Sequence, residues 1–237
     1  MKYPSTDRSA RISEIFSSLQ GEGLRVGEKH LFVRFEKCHI HCVYCDELEK
    51  VGKEMTIEEV VSELKRLEHQ EGPHAFVSLT GGEPLLYTPF LKKLAPMLRD
   101  NGFSIYLETS GILSGSLEEI IDECDCIAMD MKLPSVTKER DFTREHEGFL
   151  QRALRKEVFV KIVVSHELDR EEFVKSVDLI ARNSSRIPLV LQPISAEIEG
   201  HDDSALMELL EVLKKEAEKK LNNVRIVKRL HKILNIA

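Results

Sequence analysis

Apolar and polar positions alternate with a period of two in Arg11-Ile12-Ser13-Glu14-Ile15-Phe16, which predicts a first short strand that breaks into a loop at Gly21-Glu22-Gly23. The apolar run 31–36 predicts a second strand, ending at a cluster of cysteines. Thr56-Ile57-Glu58-Glu59 has the Ser/Thr-x-x-Glu form of a capping box, and Val60, Leu64 and Leu67 behind it keep helical spacing. The stretch 75–79 predicts a buried strand that runs straight into Gly81-Gly82. Thr88-Pro89 supplies a cap and a first-turn proline for a helix to about Arg99, with Gly102 past its end. Residues 104–109 predict a strand, and Ser116-Leu117-Glu118-Glu119 a further capping box opening a helix that stops near Cys124. A strand over 126–131, a helix around 147–155 and a strand over 158–164 dense in β-branched residues follow. Helix 171–182, strand 187–191, helix 204–221 and strand 224–227 complete the series, with no internal repeat and no low-complexity linker.

Strand and helix thus alternate about six times, which calls for an α/β fold of mostly parallel strands with helices as crossovers. Periodicity leaves two architectures open, an open doubly wound sheet and a partly closed barrel. Both carry ligands at the carboxyl ends of their strands. The polar motifs all fall at such ends: the cysteines, Thr80 to Glu83, Glu108-Thr109, Asp130 to Lys132, and Gln192-Pro193. That shared placement predicts a single site.

A chain of 237 residues is long enough for one sizeable core. Its 42% apolar and 32% charged residues are ordinary for a soluble protein, and no apolar run approaches the roughly 18 residues of a membrane span. The stretch Met1-Lys2-Tyr3-Pro4-Ser5-Thr6-Asp7 has no apolar signal region, so a cytoplasmic location is expected. Five cysteines should then stay reduced and available to metal, with Cys124 and Cys126 as lone strand-end thiols. A formal net charge of −7 argues against extended nucleic-acid binding, which needs a basic face. The stretch 214–232 is locally basic, but interspersed acidic residues predict a solvated helix face.

Cys38-His39-Ile40-His41-Cys42-Val43-Tyr44-Cys45 sets three cysteines at C-x3-C-x2-C. Three thiolates on one short loop grip three irons of a [4Fe–4S] cube, whereas a structural zinc or a fully protein-held cluster takes four ligands. The fourth iron is left open for a ligand, a place for chemistry. Two alternatives stand beside this: a zinc knuckle recruiting His39 or His41, though no second C-x2-C pair is present, and buried thiols acting as small core residues. Gly81 and Gly82 lack a Cβ, so backbone there can approach a ligand closely and its carbonyls can accept from an ammonium. Tyr44 offers an aromatic face, equally suited to plain packing of the loop. Arg34 lies inside an apolar run, where an unpaired charge would be costly, and its planar fork of donors matches a carboxylate.

The cysteine spacing followed by Thr80-Gly81-Gly82-Glu83-Pro84 resembles the radical S-adenosylmethionine (SAM) superfamily. The flanks Glu14-Ile15-Phe16-Ser17-Ser18-Leu19-Gln20-Gly21-Glu22-Gly23 and Leu230-His231-Lys232-Ile233-Leu234-Asn235-Ile236-Ala237 resemble the 7-carboxy-7-deazaguanine synthases within it. The resemblance implies a partial (β/α)6 barrel, one radical SAM domain over 1–237 whose C-terminal segment closes the substrate pocket. It implies a [4Fe–4S] cluster on Cys38, Cys42 and Cys45. SAM would meet Tyr44, Cys45, Asp46, Gly81, Gly82, Glu83, Glu108, Asp130, Met131, Lys132, Gln192 and Pro193. A pterin substrate would meet Leu19, Gln20, Gly21, Glu22 and Thr80, with Arg34 on its 6-carboxylate and His231 and the terminal carboxylate of Ala237 closing the pocket.

The reaction so implied converts 6-carboxy-5,6,7,8-tetrahydropterin to 7-carboxy-7-deazaguanine with loss of ammonia. In the family a reduced cluster cleaves SAM, the 5′-deoxyadenosyl radical takes the hydrogen from C6, the ring contracts and SAM is regenerated. A flavodoxin or ferredoxin as electron donor and a homodimer are implied as well. The chain departs from the family pattern at three places. Cys45-Asp46-Glu47 stands where many members read Cys-Asp-Thr with the threonine on Mg²⁺, and a Glu47 carboxylate is a competent hard-oxygen replacement. Asp130-Met131-Lys132 replaces Ser-Pro-Lys and resembles glycyl-radical activating enzymes, and Arg229 stands where glutamine is frequent. The alternatives are therefore another radical SAM reaction, such as glycyl-radical activation or peptide modification, and a metal-stabilised binding module without catalysis.

Overall fold

The computed structural model describes residues 6–47, 50–194 and 204–229. Its strands are β1 (Ser9–Leu19), β2 (Lys29–Phe35), β3 (Lys53–Thr56), β4 (Phe76–Gly81), β5 (Ile105–Thr109), β6 (Cys126–Asp130), β7 (Glu157–Val164), β8 (Leu189–Pro193) and β9 (Val224–Ile226). The helices are α1 (Ile57–Glu71), α2 (Thr88–Asp100), α3 (Ser114–Glu118), α4 (Pro134–Thr137), α5 (Thr143–Ala153), α6 (Arg170–Asn183) and α7 (Ser204–Ala217). All the strands join one sheet in the order β3-β1-β2-β4-β5-β6-β7-β8-β9. β1 runs antiparallel to both β2 and β3, and every pair from β2 to β9 is parallel.

This order decides between the two architectures. In a doubly wound sheet the strand order reverses at a switch point and helices cover both faces. Here each parallel strand pairs with the next in the chain and no reversal occurs, so right-handed crossovers put every helix on the same side. The sheet is an incomplete barrel whose two edges, β3 and β9, do not pair with each other.

The alternation along each strand follows from that one-sided cover. On β6, Ile127 and Met129 belong to the large core shared with the helices, whereas Cys126 and Ala128 belong to a smaller cluster with Tyr106, Phe159 and Val190. The smaller cluster fills the inside of the barrel at the amino ends of the strands. Beyond it, the inward positions turn polar: Arg34, Thr80, Glu108, Asp130 and Lys161 all line one cavity.

Local chemistry accounts for most element boundaries. Thr56 caps α1 and Glu59 returns the bond to the Thr56 backbone, so the capping box is formed and contributes about 1 kcal/mol. Asp169 caps α6 through the backbone N–H of Glu171 and Glu172. Three expectations are corrected. The hydroxyl of Thr88 donates to Leu85 O within the preceding 3₁₀ turn, so Thr88 is the first residue of α2 and not its cap. Ser116 lies inside α3, where its helical backbone cannot serve as a cap, and the helix is a single short turn that continues as a 3₁₀ turn to Glu123. β3 is additional, an edge strand of which only Met55 is buried. Among the described residues of the locally basic stretch 214–232, only 214–217 are helical, at the end of α7 whose Leu206, Leu210, Leu213 and Ala217 turn inward, while Lys215, Lys219, Lys220 and Lys228 are exposed as expected. No described helix is long and apolar enough to cross a membrane.

Candidate active site

The cysteine loop leaves the carboxyl end of β2 and is tied down on two sides. Gly82 N–H donates to Phe35 O (2.9 Å) and Glu83 N–H to Lys37 O (2.7 Å), which docks the end of β4 against the loop's start. On the far side His41 N–H donates to the Glu139 carboxylate (2.6 Å) and Val43 N–H to Thr137 O (3.2 Å). Within the loop Cys45 N–H reaches Cys42 O at 3.0 Å. Ile40, Ile112 and Phe142 form an apolar wall around the thiols. All three cysteines are free and line the cavity. Burial, with the Glu83 charge adding to it, pushes the Cys38 thiol up to about 12, and burial also raises Cys42. A Lewis acid such as iron offsets that rise by binding the sulfur as thiolate, with release of the proton.

The cavity measures ≈ 730 Å³, within the range of cofactor and substrate sites. Gly81 and Gly82 line it beside the cysteines, and Gly81 has φ +111°, a conformation that favours glycine. Tyr44 is half-buried, its hydroxyl 3.5 Å from Lys132 Nζ, which also lies 5.6 Å from the ring centroid. Lys132 is bound to Asp130 at 2.8 Å. Burial opposes the Asp130 charge, but Lys132 and Lys161 outweigh it and hold that carboxyl below the usual range.

A second group lines the same cavity. Gln20 Nε2 donates to Glu108 Oε1 (2.8 Å) and Thr80 Oγ1 to Glu108 Oε2 (2.9 Å), while Gln20 Oε1 accepts from Glu22 N–H (3.0 Å). Glu108 is enclosed, and burial followed by the nearby Glu22 charge raises its pKa above the ordinary carboxylate value. Arg34 pairs with Glu14 (3.2 Å) and Glu47 (2.8 Å) and lies over the Phe16 ring. Lys50 completes that cluster with contacts to both acids.

Leu19, Gly21, Glu22 and Asp46 also line the cavity. Four residues expected at the cofactor do not. Glu83 is fully buried, and its carboxylate accepts from Leu85 N–H, Thr109 Oγ1, Ser110 N–H and Ser110 Oγ, which locks the end of β4 to the end of β5. Met131 packs into the main core. Gln192 and Pro193 are buried at the end of β8, and the Gln192 amide has no partner among the described residues. His231 and Ala237 lie outside the described residues.

Lys161 was not anticipated. It lies in the apolar run of β7, bonded to Glu22 (2.5 Å) and Asp130 (3.2 Å), and the signal that singled out Arg34, a charge among apolar neighbours, applies to it equally. Arg229 departs from the solvated face expected around it, since it pairs with Glu22 at 2.8 Å and reaches Asp46 at 3.5 Å.

The donor set fits a cubane cluster, one thiolate for each of three irons, beside the apolar wall of Ile40, Ile112 and Phe142. Among the described residues no group of three or more His, Cys, Asp or Glu side chains is arranged to hold a single metal ion. Beside the cysteines Glu47 has an oxygen to spare: Oε1 takes Arg34, and Oε2 is buried without a hydrogen-bond partner among the described residues.

Residues 32–181 match the radical SAM superfamily. The chain is 31% identical to the 7-carboxy-7-deazaguanine synthase of Geobacter sulfurreducens, across 95% of this chain and 97% of that one. It is also 31% identical to the 7-carboxy-7-deazaguanine synthase of Methanocaldococcus jannaschii, across 95% and 99% of the two chains. Among solved structures the fold is similar to that of QueE from Escherichia coli, with a TM-score of 0.62 over 94% of this chain and 95% of that one at 21% identity. The end-to-end match at that identity, on an incomplete barrel with its cysteine loop at the sheet's carboxyl edge, shows that the chain belongs to the radical SAM superfamily and, within it, to the 7-carboxy-7-deazaguanine synthases.

Proposed function

We propose that this chain converts 6-carboxy-5,6,7,8-tetrahydropterin to 7-carboxy-7-deazaguanine with loss of ammonia, as a radical SAM lyase. The observation that carries this reading is that the cysteine loop and the Gln20–Glu108–Thr80 network line a single cavity. When bound, the reduced cluster on Cys38, Cys42 and Cys45 supplies the single electron that splits SAM.

The chain's own residues bind and orient. The Thr80 hydroxyl spends its proton on Glu108, so its oxygen meets a ligand as an acceptor, suited to the N–H edge of a reduced pterin. Gln20 keeps one amide N–H beyond its bond to Glu108. Arg34 offers a guanidinium to the 6-carboxylate, in competition with Glu14 and Glu47. Gly81 and Gly82 present backbone to the methionyl end of SAM, and Lys132 a point charge to its carboxylate or ribose. Tyr44 and the Ile40–Ile112–Phe142 wall pack beside the thiols and cover part of their surface. Glu47 Oε2 is the oxygen that would hold Mg²⁺, which typically takes one or two carboxylates and completes its shell with substrate and water. Closure of the pocket by the C-terminal segment, a flavodoxin or ferredoxin as electron source, a homodimer and a cytoplasmic location belong to the same proposal.

The test is anaerobic reconstitution with iron and sulfide, followed by SAM, dithionite and the pterin. Accumulation of 7-carboxy-7-deazaguanine, identified by mass, is expected. Formation of 5′-deoxyadenosine with the pterin untouched would remove the substrate assignment and leave the cofactor chemistry standing.

A further inference from the structure

Five charged side chains cross the cavity in alternating sign. Arg229 Nε contacts Glu22 (2.8 Å), Glu22 contacts Lys161 (2.5 Å), Lys161 contacts Asp130 (3.2 Å) and Asp130 contacts Lys132 (2.8 Å). Lys161 is the link between the two carboxylates. It stands on β7 between Val160 and Ile162, both fully buried, and its register partner on β6 is Asp130. Only 13% of its side chain is exposed. Burial disfavours its charge, but Asp130 and Glu22 together outweigh that cost, so it remains an ammonium.

The two ends of this bridge have different partners. Glu22 follows Gln20, whose side-chain oxygen accepts the Glu22 backbone N–H, so it belongs to the network that includes Thr80 and Glu108. Asp130 belongs with Lys132 and Tyr44 on the cysteine side. Asp130 spends one oxygen on the two lysines, while its buried Oδ1 has no partner among the described residues and is available to a ligand.

We propose that Lys161 is a positioning residue that couples the pterin side of the cavity to the SAM side, by holding Glu22 and Asp130 with one ammonium. A ligand that draws on Glu22 weakens the Glu22–Lys161 contact, and the lysine then leans toward Asp130 Oδ2 and holds that carboxylate with Oδ1 left for SAM. Coupling through this shared cation is reciprocal, each ligand changing the other's affinity by the same factor. This rests on the pterin and SAM reading above.

The experiment measures SAM affinity by equilibrium dialysis of the reconstituted, unreduced protein, with and without 6-carboxytetrahydropterin. In the native protein the pterin tightens SAM binding by about tenfold, a typical coupling. Lys161→Met keeps the cluster's visible absorption but loses that factor, and Lys161→Arg, which still spans two carboxylates, keeps most of it. Failure of the pterin to change SAM affinity in the native protein, or an unchanged factor in Lys161→Met, overturns the coupling. If Lys161→Met takes up no cluster, Lys161→Arg alone decides: a cluster-loaded arginine variant without the factor contradicts the proposal. The reconstitution assay is separate. Product formed without coupling removes only the role of Lys161, whereas absence of product removes the functional reading.

Discussion

Arg34 sits on β2 with carboxylates on both sides, Glu14 and Glu47, and an aromatic ring beneath it. A guanidinium held this way is neutralised while the cavity is empty and only needs to exchange partners to receive a ligand carboxylate. Arg34→Ala should raise KM for the pterin by roughly 10–100-fold, the worth of a hydrogen bond between charged groups. It should do so while 5′-deoxyadenosine still forms in the absence of pterin, and equal loss of both activities would make Arg34 a structural residue. Arg34 was legible in the sequence because a charge inside an apolar run is expensive unless it has a task. Lys161 carries the same signature and went unread, since its partner Glu22 lies 139 positions away and no local pattern joins them. Glu83 went the other way. Its motif suggests a cofactor ligand, but its carboxylate is used up in bonds to Leu85, Thr109 and Ser110.

At the scale of elements, the contact that matters most is between the end of β4 and the start of the cysteine loop. A Cβ on Gly82 would overlap the Lys37 carbonyl and come within 2.8 Å of Cys38 N, so the glycine is required by close approach of two backbones. Gly82→Ala should therefore move Cys38, and reconstituted protein should carry less than about half the native iron and sulfide per chain although no thiol is lost. A full complement would show that the loop holds its shape without β4. The boxed start of α1 was legible because both halves of the reciprocal bond are encoded within four residues. The same pattern at Ser116 misled, because α3 begins two residues earlier and the serine is already helical. β3 left no signal: Lys53, Glu54 and Thr56 are exposed, and lysine and glutamate are poor strand formers.

For the whole molecule, alternation of strand and helix gave parallel pairing but not strand order, which depends on contacts far apart in the chain. The unreversed order of β2 to β9 places all crossovers on one side and leaves the inner face free, and its inward residues change from Tyr106, Ala128 and Phe159 to Thr80, Glu108, Asp130 and Lys161 toward the carboxyl edge. That gradient makes one cavity lined by both the thiols and the Gln20–Glu108–Thr80 network. The central claim is that this cavity holds SAM and the pterin in contact, and transfer of label between them tests it most directly. Pterin deuterated at C6 is incubated with the reduced, reconstituted protein and unlabelled SAM, and the recovered adenosyl compounds are examined by mass. Deuterium in SAM or 5′-deoxyadenosine is the expected result. Conversion of the pterin with no label above background in either compound would contradict the shared cavity.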